Sequence, residues 1–364
     1  MADNKLKVGI LFGGKSAEHE VSLQSAKNVA DAIDRNKYDV ALIGINKSGD
    51  WLLPDQSRFL LNAADPKLIQ LNSENQKSVA LVPQSGGELS NLSGGGVHSS
   101  IDVVFPILHG PFGEDGTVQG LLKLAGVPFV GSGVIGSAAG MDKDVMKRLL
   151  RDAGIPIAKS LTFRHGDVLD YEAISREIGL PLFIKPANMG SSVGVHKVSS
   201  RDTFDEAVLD AFAYDTKILI EEFVDGRELE CAVLGNLRPV ASVVGEIKPS
   251  HDFYSYEAKY LDEHGAALEI PADIPDAVSD RIRDLAVRTF QTLECEGLGR
   301  VDCVLKSDGE IIVNEINTMP GFTKISMYPR LWEASGVSYP DLITKLIELG
   351  LERFEREQQL KTSF

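Results

Sequence analysis

Cysteine is scarce in this chain of 364 residues, and its three copies, Cys231, Cys295 and Cys303, fall into no C-x-x-C spacing. That excludes a disulfide framework and gives no sign of a zinc site, so the three read as buried thiols. Missing too is any apolar run near the ~20 residues that span a bilayer, and the opening Met-Ala-Asp-Asn-Lys-Leu-Lys lacks the apolar core of a signal peptide. A cytoplasmic location with no membrane partner is expected. Positive charge is short: 37 Lys and Arg against 53 Asp and Glu leave a formal net charge of -16, with no basic block along the chain. Such a balance repels a phosphate backbone, so nucleic acid is not an expected partner. There is no internal repeat.

What is present has the composition of an ordinary globular enzyme, and the length exceeds what one core organises. Leu6 to Phe12 is an apolar run ending at Gly13-Gly14, and apolar residues at helical spacing follow from Val21 to Ile33. Further runs at Val40 to Ile45, Val103 to Ile107 and Val127 to Val130, with a helix-like Val118 to Leu124, predict a Rossmann-like α/β unit with a parallel sheet over 1–140. The Gly- and Ser-rich stretch Ser85 to Ser99 reads as a solvent loop. From Met141 a helix through Asp152 gives way to short strands and hairpins, an α+β organisation over 141–223. Val224-Asp225-Gly226 marks the passage to a third unit, 224–364, with helices at Ala277 to Leu293 and Tyr339 to Glu355.

Two motifs match familiar expressions and fail on context. Gly9 to Ser16 satisfies the Walker A pattern, but a phosphate loop must start where a strand ends, and here Gly9 lies within the apolar run. Gly131-Ser-Gly133-Val-Ile-Gly136 fits G-x-G-x-x-G, yet the next strand-like run, Pro156 to Phe163, ends beside Arg164 rather than the acid a dinucleotide site wants. It reads as a glycine turn near a ligand.

The segment from Gly299 to Leu305, then Lys-Ser-Asp308-Gly309, then Glu310 to Asn317, reads as a hairpin. With Asp308 and Gly309 as a two-residue turn, Asp302 falls opposite Glu315 and Arg300 opposite Asn317, all four on one face. Two facing carboxylates repel unless a cation lies between them, and carboxylate, carboxylate and amide oxygens suit Mg2+ held against ATP phosphates. The alternative is a polar strand face, and the opposite face, Val301, Cys303, Ile312 and Asn314, is not cleanly apolar. Beyond it, Thr318 to Thr323 holds Pro320 and Gly321 in an irregular loop suited to substrate.

Lys185 ends the run Phe183-Ile184-Lys185-Pro186 and precedes Asn188-Met-Gly-Ser191-Ser192-Val-Gly194, whose backbone N–H groups and hydroxyls can wrap phosphate oxygens. A plain flexible loop is the alternative. Lys143 opens the second unit. The run Ile218 to Ile220 is followed by Glu221, Glu222 and Glu228, acids suited to an adenine amino group and ribose hydroxyls, although either alone is more often surface charge.

In order along the chain, Met141-Asp142-Lys143, Lys185-Pro with Gly190-Ser-Ser-Val-Gly194, Glu221, Arg300-Val-Asp302 and Asn314-Glu315-Ile-Asn317-Thr-Met-Pro-Gly321 resemble the D-alanine:D-alanine ligases of the ATP-grasp superfamily. Gly13-Gly14-Lys-Ser-Ala-Glu-His-Glu20-Val-Ser and His109-Gly-Pro-Phe-Gly-Glu114 match as well, so the resemblance covers nearly the whole chain. It implies an N-terminal α/β domain, two α+β ATP-grasp units around ATP, and a D-alanyl phosphate intermediate attacked by a second D-alanine. It further implies Mg2+ or Mn2+, two ions, on Asp302, Glu315 and Asn317. Lys143, Lys185, Ser192 and Lys259 would contact the nucleotide phosphates, and Glu221 and Glu228 the adenosine. Arg300 and the Gly321 N–H would stabilise transferred charge. Glu20 would hold the first ammonium with Ser191 and Tyr260, and Ser326 and Met327 would meet the second D-alanine. His109 and Glu114 would line the substrate pocket, although a lone histidine after a strand is often structural. Tyr260 favours a dipeptide product over a D-lactate ester, and a homodimer is implied. The rivals are an ATP-grasp enzyme with another acceptor, differing around Glu20, Tyr260 and Ser326, and a non-catalytic nucleotide binder, which the intact Arg300 and carboxylate set opposes.

Overall fold

The computed structural model describes residues 5–54, 59–63, 65, 68–73, 76–92, 94, 97–249, 266–323 and 325–361. Its first sheet has seven strands in the order Val97–Ser100, Glu88–Asn91, Lys77–Leu81, Trp51–Leu53, Tyr38–Ile45, Leu6–Gly13, Val103–Ile107. Leu6–Gly13 pairs in parallel with both its neighbours. The outer strands extend the sheet antiparallel, so the parallel part is only its core. Ile10, Leu11 and Phe12 are fully buried inside that first strand, which removes the Walker A reading on structural grounds.

Two expectations for this unit need correction. Val127 to Val130 is no full strand: it makes a single parallel bridge, Val104 to Phe129, before Gly131 turns the chain at φ +97°. Ser85 to Ser99 is no open loop either, since it contains strand Glu88–Asn91 and most of its partner Val97–Ser100. Leu89 is the reason, because it buries completely in the core among polar neighbours.

The second sheet, Ser160–Arg164, Lys217–Glu222, Leu182–Pro186 and His196–Val198, is antiparallel throughout. Helices Tyr171–Ile178 and Phe204–Tyr214 cover it, and Ile174, Phe204, Ile184 and Ile220 form a core of their own. The third sheet runs Ala266–Glu269, Val240–Pro249, Arg227–Gly235, Gly297–Leu305, Ile311–Asn317. Its strand Arg227–Gly235 alternates between two cores, as side chains in a strand must. Leu229, Cys231 and Val233 face helix Asp276–Thr292. Ala232 and Leu234 join helices Met327–Ala334 and Tyr339–Gln358 in a core that continues into Val8, Ile10 and Phe105 of the first sheet. The first and third sheets thus share a core, while the second has a separate one. All three cysteines are buried and free, and burial pushes the thiols of Cys231 and Cys295 up to about 12.

Candidate active site

A cavity of about 350 Å3 lies between the second and third sheets and reaches the first unit at Glu18 and Glu114. Its floor is the hairpin singled out in the sequence. Arg300 does stand opposite Asn317 and Asp302 opposite Glu315, but by a different route from the one expected. Lys306 N donates to Glu310 O at 2.9 Å and Gly309 N to Lys306 O at 3.0 Å, so the turn has three loop residues with Gly309 at φ +85°. That shifts the register by one until a bulge beyond Cys303 takes up Asn314 and restores it. The opposite face therefore carries Val301, Cys303, Val313 and Ile316, all in the core, and not Ile312 and Asn314. A cleanly apolar back and a charged front make the front a built site.

The front has more acid than the sequence suggested. Glu230 pairs with Asp302 from the other side, so Glu230, Asp302 and Glu315 lie in one row across three strands. Arg300 answers the row: its Nε and Nη2 donate to Asp302 at 2.7 Å each, and Nε is 2.8 Å from Glu230 Oε2. Lys143 lies 3.3 Å from Glu315 Oε2 and donates to Met189 O at 2.8 Å. A cation thus stands beside both carboxylates of the predicted metal set. Asp302, Glu315 and the Asn317 Oδ1, which already accepts Met319 N at 3.1 Å, are hard oxygen donors that fit a divalent ion. No group of three or more His, Cys, Asp or Glu able to hold a metal occurs among the described residues. An ion there would complete its shell from phosphate oxygens and water, as Mg2+ commonly does.

The facing wall is cationic. Lys185, at the end of its strand, ion-pairs with Glu221, and Lys147 Nζ donates to the other Glu221 oxygen at 2.5 Å. Burial pushes the Glu221 carboxyl up, but Lys185 and Lys147 outweigh it and hold the group below the usual carboxylate range. Asp142 caps helix Lys143–Asp152 by accepting Asp144 N and Val145 N. Lys217 grips the same carboxylate at 2.7 and 2.5 Å, which fixes Lys143 at the helix start. The loop after Lys185 holds Ser191 and Ser192 at φ +51° and +61°, an uncommon backbone for serine. Both border the cavity, as do Glu228, Gly321, Ser326 and Met327.

Where the loop meets the first unit, the structure moves one assignment. Ser191 Oγ donates to Glu18 Oε1, and a Cβ on Gly190 would come within 3.1 Å of Glu18 Oε2. Glu20, the predicted residue, points elsewhere and pairs with Lys47 at 2.6 Å. Helical phase explains it. Glu18 is in step with the buried Ser22, Ser25 and Val29, whereas Glu20 is in step with Gln24, Lys27 and Asp31 on the wet face. Glu114 is buried, accepts Gly110 N at 2.8 Å through Oε2, and has no hydrogen-bond partner for Oε1 among the described residues. Burial first, and then Glu18, push its carboxyl well above the usual range.

His109 does not border this cavity. It is buried, with Nδ1 2.9 Å from Met319 O and Nε2 3.4 Å from Ser25 Oγ, which also accepts Phe322 N at 3.2 Å. It therefore ties the loop after Asn317 to helix His19–Ala32, and burial pulls its pKa down to about 4. Lys259 and Tyr260 lie outside the described residues.

Compared with known proteins, residues 7–132 match the family model D-ala D-ala ligase N-terminus and residues 149–348 match D-ala D-ala ligase C-terminus. The chain is 59% identical to the D-alanine--D-alanine ligase of Shouchella clausii, over 99% of this chain and 98% of that one. It is 54% identical to the D-alanine--D-alanine ligase A of Escherichia coli, over 99% of both. Among solved structures, the D-alanine-D-alanine ligase from Coxiella burnetii superposes with TM-score 0.84 at 36% identity, covering 98% of this chain and 96% of that one. The VanG D-Ala:D-Ser ligase from Enterococcus faecalis gives TM-score 0.84 at 38% identity, covering 95% and 100%.

Proposed function

Because the chain belongs to the D-alanine–D-alanine ligase family, we propose that the cavity between its second and third sheets is where ATP and two D-alanine molecules become D-alanyl-D-alanine, ADP and phosphate for cell-wall synthesis. The observation that carries this assignment is a lysine-lined wall facing a carboxylate row and Arg300 across one cavity, with Glu18 and Glu114 at its far end.

The first D-alanine places its ammonium against Glu18 and Glu114, where a cation offsets the burial and the Glu18 charge that hold the Glu114 carboxyl above its usual range. Its carboxylate then lies toward Arg300 and the nucleotide phosphates, which Lys143, Lys185 and the N–H groups and hydroxyls of Ser191 and Ser192 hold. Glu221 and Glu228 meet the adenosine. Divalent cations on Asp302, Glu315 and Asn317, two ions of Mg2+ or Mn2+, would neutralise phosphate charge when bound.

A carboxylate is a poor acyl donor. One carboxylate oxygen attacks the γ-phosphorus, the bond to the bridging oxygen breaks, and ADP leaves with the electron pair. The second D-alanine, held near Ser326 and Met327, gives its ammonium proton to solvent, and the uncharged amine then attacks the carbonyl carbon of the D-alanyl phosphate. A guanidinium fork at Arg300 and the Gly321 N–H stabilise the oxyanion, and its collapse expels phosphate, which carries off the proton shed by the attacking nitrogen, and leaves the peptide bond. The protein's share is positioning and charge neutralisation.

We retain the division at residues 140 and 223 and a cytoplasmic homodimer as parts of this proposal. The exposed Leu121, Leu124 and Ile135 are side chains a second copy would cover. No helix among the described residues is long and apolar enough to cross a membrane.

The test is phosphate release from ATP and Mg2+ with D-alanine, L-alanine, D-serine and D-lactate, singly and in pairs, with products weighed by mass spectrometry. D-alanine alone should suffice, and heavy oxygen in its carboxylate should appear in the released phosphate. Turnover only with D-serine or D-lactate as the second substrate would reassign the acceptor and keep the phosphoryl chemistry.

A further inference from the structure

Lys147 is a buried cation to which the mechanism above gives no task. It follows Lys143 by one turn on helix Lys143–Asp152, and its side chain is 1% exposed. Lys185 and Glu221 border the cavity and Lys147 does not, so it stands behind the Glu221 carboxylate. The cluster holds two cations and one anion.

Where Lys185 turns to nucleotide phosphates, as proposed above, Glu221 loses one of its two partners. Lys147 remains, and the pair it forms with Glu221 is neutral. An ionised carboxylate accepts hydrogen bonds and donates none. A base with an exocyclic amino group satisfies it, whereas an oxo group at the same place sets two acceptors against each other with no proton between them. Buried sites reject such mismatches strongly.

We propose that Lys147 is a positioning residue that selects the nucleotide base, by keeping Glu221 ionised and aimed at the cavity after Lys185 has turned to the phosphates. The inference rests on the reading that Glu221 meets the base, and it adds the device that makes Glu221 selective. Lys147 itself touches no substrate.

The experiment is steady-state kinetics with ATP and with inosine triphosphate, which carries oxo in place of the amino group, on the full chain and on Lys147→Met, Lys147→Gln, Glu221→Gln and Lys147→Met/Glu221→Gln. Both Lys147 variants should raise KM for ATP by about tenfold or more and shrink the preference for ATP by a like factor. The kcat at saturating ATP should change less than about threefold, since binding and not the chemical step is affected. Glu221→Gln, which can donate as well as accept, should lose the preference by itself, and adding Met at 147 should then change it no further. Two Lys147 variants are used so that one failing to fold leaves the other to decide. If Glu221→Gln loses the preference and the folded Lys147 variants keep it, the positioning role is overturned while the base contact stands. If Glu221→Gln keeps the preference, the base contact fails and the inference falls with it.

Discussion

The two walls of the cavity solve the same problem with opposite signs. On the second sheet a carboxylate sits between two lysines, Lys147, Glu221 and Lys185. On the third sheet a guanidinium sits between two carboxylates, Asp302, Arg300 and Glu230. Each cluster is mostly buried and is answered within its own wall. Charge that must later meet phosphate, metal or amine is thus held by an internal counter-charge meanwhile, as buried ions require. The central residue of each trio is the one whose loss leaves two like charges facing.

That asymmetry can be broken directly, and the largest effect is expected at Arg300. Arg300→Met strands Asp302 and Glu230 together, at a cost of about 3–5 kcal/mol in stability, besides a fall in kcat of roughly a hundredfold or more. Lys185→Met leaves the neutral pair Lys147 and Glu221, so its stability should stay within about 1 kcal/mol of the parent while ATP binding suffers. Urea unfolding of the two variants side by side measures the difference. Equal losses would mean that the trios do not act as units. Asp302→Asn sharpens the point, because it turns the third-sheet trio into a neutral pair. Turnover should fall roughly a hundredfold with the fold intact and without the stability loss expected at Arg300.

How much of this was legible beforehand depended on the distance over which each signal acts. The first β-α unit, the helices and the hairpin follow from local periodicity, which a strand or helix obeys wherever it packs. Asp302 opposite Glu315 was reached through a turn of the wrong length and rescued by a bulge, since no residue type announces a bulge that packing behind Cys303 and Val313 imposes. Glu230 and Lys147 depend on which strand or helix lies next to which, information that a single sequence carries only weakly. The failure at Glu20 is of another kind. The phase of helix His19–Ala32 was available from its buried serines and Val29, and it points to Glu18.

A pH titration probes the join between the third-sheet wall and the first unit. His109 is held neutral by burial, and its pKa of about 4 lies below the ordinary 6.5. The unfolded chain therefore takes up the proton first as pH falls. Stability at this site is complete above about 6.5 and declines as pH drops toward 4, by roughly 3 kcal/mol in total. His109→Gln should flatten this part of the stability curve, seen as a smaller shift of the urea midpoint between pH 7 and 4.5. The second sheet, with a core of its own, should show no such dependence on residue 109 when followed by hydrogen exchange of its strands.

The smallest and most discriminating comparison is between two glutamates two residues apart. Glu18→Gln removes one of the two carboxylates set against the first ammonium, so KM for the first D-alanine should rise about 10- to 100-fold with KM for ATP little moved. Glu20→Gln breaks only the partly exposed pair with Lys47 and should leave kinetics within about twofold and stability within about 1 kcal/mol. A pH profile separates a charge effect from mere disturbance of the helix. Glu18 is one of the causes that push Glu114 up, so with Gln at 18 the Glu114 carboxyl ionises more readily. The acid limb of the profile for the first D-alanine should then move to lower pH. A variant that raises KM without moving that limb would point to distorted packing at the loop of Ser191, and the ammonium would have to be sought against Glu114 alone.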